Sequence, residues 1–208
     1  MSKVLAFGAS SSKKSINKKF AIYVANCIPN AEINVIDLND YEMPIYSIDK
    51  EEENGIPELA YRFKEHFKNS DAVVISFAEH NASYTSAFKN IFDWISRIDK
   101  NIWHNKPMFL LATSTGGNGA VIVLEAAFSR ISRRNDNHIS TFSLPNFYES
   151  FDDTNGITDP DLKISFESLD RQSENYRKIR NSIRFILGNL KDWNPSEKVE
   201  HNQLPELE

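Results

Sequence analysis

The chain has 208 residues, 40% of them hydrophobic and 25% charged, the composition of a globular domain with room for a sizeable core. A formal net charge of −5 implies no basic face, so nucleic acid is not expected as a partner. The single cysteine, Cys27, rules out an internal disulfide and cysteine-based zinc spacing, and no apolar run reaches the roughly 18 residues of a membrane span.

The first stretch, Lys3 to Phe7, reads as a short buried strand that Gly8 ends. No signal-peptide core precedes it, so a reducing cytoplasm is expected. A loop rich in hydroxyls follows, with Ser10, Ser11, Ser12 and Ser15. From Ile16 the apolar spacing turns helical, through Phe20, Tyr23, Val24 and Cys27. Pro29-Asn30 turns the chain into a second strand, Ile33 to Ile36. Asn39 to Gly55 reads as loop and Pro57 to Asn69 as the second helix. Ala72 to Phe77 is continuously apolar, as a central parallel strand covered on both faces must be. A polar loop, Ala78 to Ser83, leads to a third helix, Tyr84 to Ile98. The fourth strand is Pro107 to Thr113, followed by a glycine-rich loop, Ser114 to Gly119, and a fourth helix, Ala120 to Arg133. His138 to Leu144 is the fifth strand. Pro145 to Asp161 is an acidic, aromatic connection, and Phe166 to Leu190 reads as a final helix. Residues 1–193 are expected to form one domain and 194–208 a loose polar tail.

Repeated strand–helix alternation predicts an α/β fold: a three-layer sandwich with a five-stranded parallel sheet and helices on both faces. Five strands suit the order 2-1-3-4-5, which is flavodoxin-like and has its switch point between the first and third strands. A ligand should therefore lie across loops 8–17, 78–84 and 114–119. The first of these has three readings. It is a capped helix start with Ser15 as N-cap. It is a P-loop in which Lys13 stands where the second glycine belongs. Or it is a loop whose hydroxyls and helix N-terminus hold the phosphate of a flavin mononucleotide. The third loop opens a helix, so its N–H groups and dipole favour negative charge, as on a reduced flavin near N1 and O2.

Gly8-Ala9-Ser10-Ser11-Ser12-Lys13-Lys14-Ser15-Ile16-Asn17 resembles the G-S-x-R-x-x-S-x-N loop of the NADPH-dependent FMN reductase family. The segment Glu79-His80-Asn81-Ala82-Ser83, continuing through Phe88-Lys89-Asn90-Ile91-Phe92-Asp93-Trp94, resembles that family's P-E-Y-N-x-S…L-K-N-x-I-D-W. Ser114 to Gly119 resembles its glycine-rich flavin loop. The likeness covers residues 1 to about 145. It implies non-covalent FMN, hydride from NADPH or NADH, and a small-molecule electron acceptor such as free flavin, a quinone, an azo dye or a metal ion. On this resemblance Ser10, Ser12, Lys13, Ser15, Ile16 and Asn17 lie at the phosphate. Glu79, His80, Asn81 and Ser83 border the ribityl chain and ring. Ser114, Thr115, Gly116, Gly117, Asn118 and Gly119 meet the pyrimidine end. Ser12 stands where the family has arginine, Ala78 where it has proline and His80 where it has tyrosine. Residues 145–161 lie outside its pattern, as a candidate cover for the substrate side.

No side chain is expected to act as acid or base, because the flavin accepts the hydride, and no metal is expected. A flavin-binding electron carrier without NAD(P)H turnover is the alternative. A P-loop phosphotransferase and a non-catalytic interaction protein are further rivals on the same fold. The third helix carries an apolar arc roughly 160° wide, against the roughly 100° that covering a core requires. Its flanks, Phe92 and Trp94, suggest a homodimer packed through that helix, and the resemblance also implies a dimer or a dimer of dimers.

Overall fold

The opening apolar run is strand β1, Ser2–Ala9, whose residues from Val4 onward are buried. In the computed structural model, which describes residues 1–168, it is the second strand of a five-stranded parallel sheet. The other four are β2 (Ala31–Val35), β3 (Ala72–Phe77), β6 (Met108–Thr113) and β7 (Ile139–Leu144). Their order is β2-β1-β3-β6-β7, the expected 2-1-3-4-5. Alternation along the strands splits the core in two. Leu5, Phe7, Val73, Ile75 and Leu110 face α3 (Glu58–Lys68), α4 (Ser86–Ile98) and α5 (Val121–Ser132). Val4, Ala6, Val74 and Leu111 face α1 (Ile16–Asn26) and α7 (Pro160–Ser168). Both faces are covered, which is why these strands read as unbroken apolar runs.

Gly8 does not end β1. It lies inside the strand because a Cβ there would stand 2.5 Å from the backbone nitrogen of Lys18, so its bare backbone is what lets the first turn of α1 cross close over the sheet. The loop expected over Asn39 to Gly55 contains a 3-10 turn at Leu38–Tyr41 and a short helix, α2, at Ile48–Asn54. No residue of α2 is buried. Its ends are closed by Ser47, which accepts from the Lys50 N–H, and by Gly55 with a positive φ, and Glu51 ties it to Arg97 and the Tyr46 hydroxyl.

The start of residues 145–161 bonds to the glycine-rich loop, Asn146 N to the Gly116 carbonyl and Phe147 N to the Ser114 carbonyl. The segment folds into α6 (Phe147–Ser150) and a hairpin, β8 (Phe151–Asp152) and β9 (Gly156–Ile157), packed on α1. Phe151 meets Phe20 and Tyr23 edge-on, at centroid distances of 6.0 and 5.3 Å, and stacks on Phe147 at 4.8 Å. The final helix begins at Pro160, six residues earlier than expected. Its expected continuation to Leu190, the domain limit at 193 and the tail lie outside the described residues.

The aromatic flanks of α4 need no second copy to cover them. Phe92 is only 6% exposed and Trp94 1%. Phe92 packs against Phe88 and Trp103, and the Arg130 guanidinium lies 5.6 Å from its ring. Trp94 meets Tyr46 edge-on and its indole N–H donates to the Pro44 carbonyl at 2.8 Å. The apolar excess of this helix is absorbed within the chain.

Candidate functional site: three loops at the carboxyl edge of the sheet

The loop after β1 is wrapped by its own hydroxyls. Ser10 Oγ accepts from the Ser12 N–H, and Ser15 N donates to the Ser12 carbonyl. Ser15 is the N-cap of α1, its Oγ accepting from the Lys18 N–H at 3.2 Å. A hydroxyl that accepts there still holds a proton to donate, so the capping and phosphate-binding readings of Ser15 are compatible. Ser11, Ser12, Lys13 and Lys14 are exposed, no carboxylate lies between Gly8 and Asn17, and the positive end of α1 opens here. Behind the loop, the Lys18 ammonium pairs with Asp37 at 2.5 Å and ties α1 to the end of β2. Burial would raise the Asp37 carboxyl, but the Lys18 and Asn39 donors outweigh it and hold the group below its ordinary value.

Asn17 is placed differently. It is 3% exposed, and its amide joins the ends of two strands, β3 and β6. Nδ2 donates to the Thr113 carbonyl at 3.0 Å, while Oδ1 accepts from Ser76 Oγ at 2.7 Å and from the Thr113 N–H at 3.1 Å. Its side chain fixes the first loop to the sheet rather than facing solvent with the serines.

The second loop is a hairpin, β4 (Glu79–His80) against β5 (Ser83–Tyr84), turning through Asn81 and Ala82 with φ of 50° and 57°. Two left-handed central residues match a type I′ turn, here without glycine. His80, Asn81 and Ser83 are exposed at its tip. Thr85 caps α4 and its hydroxyl donates to the Ala9 carbonyl at 2.9 Å, binding the second loop to the first. Glu79 points elsewhere: its Oε2 accepts from the Val123 N–H at 2.9 Å, in the first turn of α5.

The third loop is braced by the strand beside it. Ser114 carbonyl accepts from Phe147 N, Gly116 carbonyl from Asn146 N, and Gly119 carbonyl from Ser143 Oγ. Gly119 has φ of 56°, and a Cβ there would stand 2.3 Å from Ser143 Oγ, so the turn into α5 admits only glycine. A Cβ on Gly116 or Gly117, by contrast, would meet open space, the nearest atom being Asn146 Oδ1 at 3.9 Å from that of Gly117. With Thr115, these glycines form an exposed shelf with bare backbone. Hydroxyls and helix-end donors on one loop, and a flat glycine shelf on another at the same edge, fit a phosphate joined to a planar ring.

Beside the first loop lies a cleft of about 350 Å³, between Ser11, the Tyr41 to Ile45 segment and the Ser86 and Asn90 side of α4. Asn90 fixes that segment, donating to the Met43 carbonyl and accepting from the Tyr46 N–H. The sequence reading did not single out this cleft, nor Thr113, Ser76 and Ser143. Their partners are many residues away and leave no local pattern. Among the described residues no three His, Cys, Asp or Glu side chains converge as a metal site.

The sheet order and these loops define a flavodoxin-like α/β protein whose carboxyl edge suits a flavin nucleotide. The sequence pattern of NADPH-dependent FMN reductases matches residues 2–145, and the chain belongs to that family. It is 31% identical over 112 residues to the 2-hydroxy-1,4-benzoquinone reductase of a Burkholderia species, a match covering 53% of this chain and 59% of that enzyme. Among solved structures it is similar to the flavoenzyme NAD(P)H:(acceptor) oxidoreductase FerB from Paracoccus denitrificans. That likeness has a TM-score of 0.61 and 22% identity, covering 92% of this chain and 94% of that one; at that identity it shows the fold. A different likeness, 46% identity over 48 residues, is to the isoleucine–tRNA ligase of Kosmotoga olearia. It covers 23% of this chain but 5% of the ligase, too small a share to carry that enzyme's activity.

Proposed function

We propose that the chain is an FMN-dependent NAD(P)H oxidoreductase that passes electrons from NADPH or NADH to a small acceptor, a flavin or a quinone. One observation carries the reading: the hydroxyl-rich start of α1 and the open Gly116-Gly117 shelf stand at the same sheet edge, linked through Asn17 and Thr113. Ser10, Ser12, Lys13, Ser15 and the Ile16 backbone hold the phosphate, with Asn17 keeping their loop on the sheet. His80, Asn81 and Ser83 border the ribityl chain, and Ser114 to Gly119 lie along the ring. The flavin supplies the two-electron carrier between nicotinamide and acceptor. The protein's part is to bind, orient and donate hydrogen bonds, so no acid or base residue is required.

An FMN-binding electron carrier without NAD(P)H turnover is the alternative. We also propose that the protein is cytoplasmic and a homodimer or a dimer of dimers. Phe92 and Trp94 of α4, the flanks expected at the seam, are covered within the chain, so the dimer is proposed on the family resemblance alone. Sedimentation equilibrium showing a monomer at tens of micromolar would refute the dimer. Titration of flavin-free protein tests the cofactor: one FMN per chain is expected, with riboflavin held at least about tenfold more weakly because it lacks the charge-assisted phosphate bonds. No FMN binding at high micromolar concentration would overturn the proposal.

A further inference from the structure

Helix α5 enters the site without a cap of its own. The residue at its N-cap position, Ala120, sits in the left-handed region with φ of 59° and has no side-chain oxygen to offer. Val121 N finds the Asn118 carbonyl. The next polar partner comes from 44 residues earlier in the chain: Glu79 Oε2, at 2.9 Å from the Val123 nitrogen. A carboxylate at the third residue of a helix is where an N-capping charge is most favourable. Here it comes from the base of the β4–β5 hairpin, so one side chain joins the second loop to the third.

We propose that Glu79 is a positioning residue that clamps the hairpin to the start of α5 and sets the charge felt by the flavin there. The electrostatic half rests on the FMN reading above. The positive end of α5 and the donors of Ser114 to Gly119 stabilise the negative charge that a reduced flavin carries near N1 and O2. A carboxylate on the same helix end offsets part of that field, at short range and partly shielded from water. Glu79 therefore keeps bound flavin a stronger reductant than the bare helix end would, which suits a protein that must pass electrons on to an acceptor. The null alternative is a purely structural cap. It predicts the same mechanical effect and no effect of charge.

Two substitutions separate the halves. Glu79→Gln keeps an oxygen for the Val123 N–H and removes the charge. Its flavin midpoint potential is expected to rise, with reduced flavin gaining about tenfold in binding over oxidised flavin, which for two electrons is about 30 mV. An unchanged or lower potential overturns the electrostatic role. Glu79→Ala removes the clamp. In flavin-free protein, hydrogen exchange at the amides of Val121 to Leu124 should quicken about tenfold while the amides of β3 and β6 stay protected. Unchanged exchange at the start of α5 overturns the clamp. If wild-type protein takes no FMN, the proposed function falls and the electrostatic half falls with it, while the exchange measurement still decides the clamp.

Discussion

Replacing Asn17 by alanine removes the amide that holds the first loop against the sheet, and the structure sets the size of the effect. Three buried hydrogen bonds go: to the Thr113 carbonyl, from the Thr113 N–H and from Ser76 Oγ. The serine hydroxyl can rotate to another acceptor. The Thr113 peptide cannot, because its two polar groups are fixed at the buried end of β6. Leaving a buried backbone group unpaired costs about 1–3 kcal/mol, so with both Thr113 groups orphaned Asn17→Ala should destabilise flavin-free protein by about 2–6 kcal/mol. Urea unfolding followed by fluorescence of the buried Trp94 and Trp103 measures this directly. The midpoint should fall with an unchanged slope, as for a stability change alone. Asn17→Asp should also be destabilised near neutral pH, because its carboxylate would face the Thr113 carbonyl. That loss should shrink as pH falls and the carboxyl is protonated, since the acid form can donate where the amide did. A variant Asn17→Ala that unfolds within about 0.5 kcal/mol of wild type, yet no longer holds FMN, would refute the framework role and make the amide a direct ligand.

Ser15→Ala should cost about 1 kcal/mol in flavin-free protein through the lost cap and should weaken FMN more than riboflavin; equal weakening of the two in titrations would leave Ser15 a cap alone. Ala82→Gly relieves a left-handed alanine at the hairpin tip and should raise stability by about 0.5–1 kcal/mol after the added backbone entropy of glycine; a lower Tm in thermal unfolding would contradict it. Burial pushes the Cys27 thiol up from 9.0 to about 11, partly opposed by a hydrogen bond from Tyr23. At pH 8 its thiolate is therefore about a hundredfold scarcer than at the ordinary value, and alkylation by iodoacetamide should be slowed accordingly, whereas a rate matching free cysteine would show the thiol to be accessible.

The sheet was readable from the chain because each central strand is buried on both faces and so appears as a continuous apolar run, and because each of the three loops directly follows such a run. The α2 helix was not, since it buries nothing and has no apolar stripe to betray it. The β4–β5 hairpin was hidden by two-residue strands and by a turn of Asn81 and Ala82, where glycine is the usual signal. The wide apolar arc of α4 was legible, but its cover comes from Trp103 and the Pro44 to Tyr46 segment, in stretches that read only as connections. Asn17 and Glu79 were singled out by the resemblance to the family's motifs, as residues facing the cofactor. What each holds lies 96 and 44 residues away, and no local spacing encodes such a partner.

Whether this sheet edge binds FMN and accepts hydride from a nicotinamide cofactor is decided by mixing FMN-loaded protein anaerobically with NADH or NADPH. At least one of the two should bleach the flavin's visible band within seconds, and a quinone admitted afterwards should restore it. A band that stays unchanged with both nucleotides, in protein that holds one FMN per chain, would contradict the hydride transfer and leave an electron carrier served by some other donor.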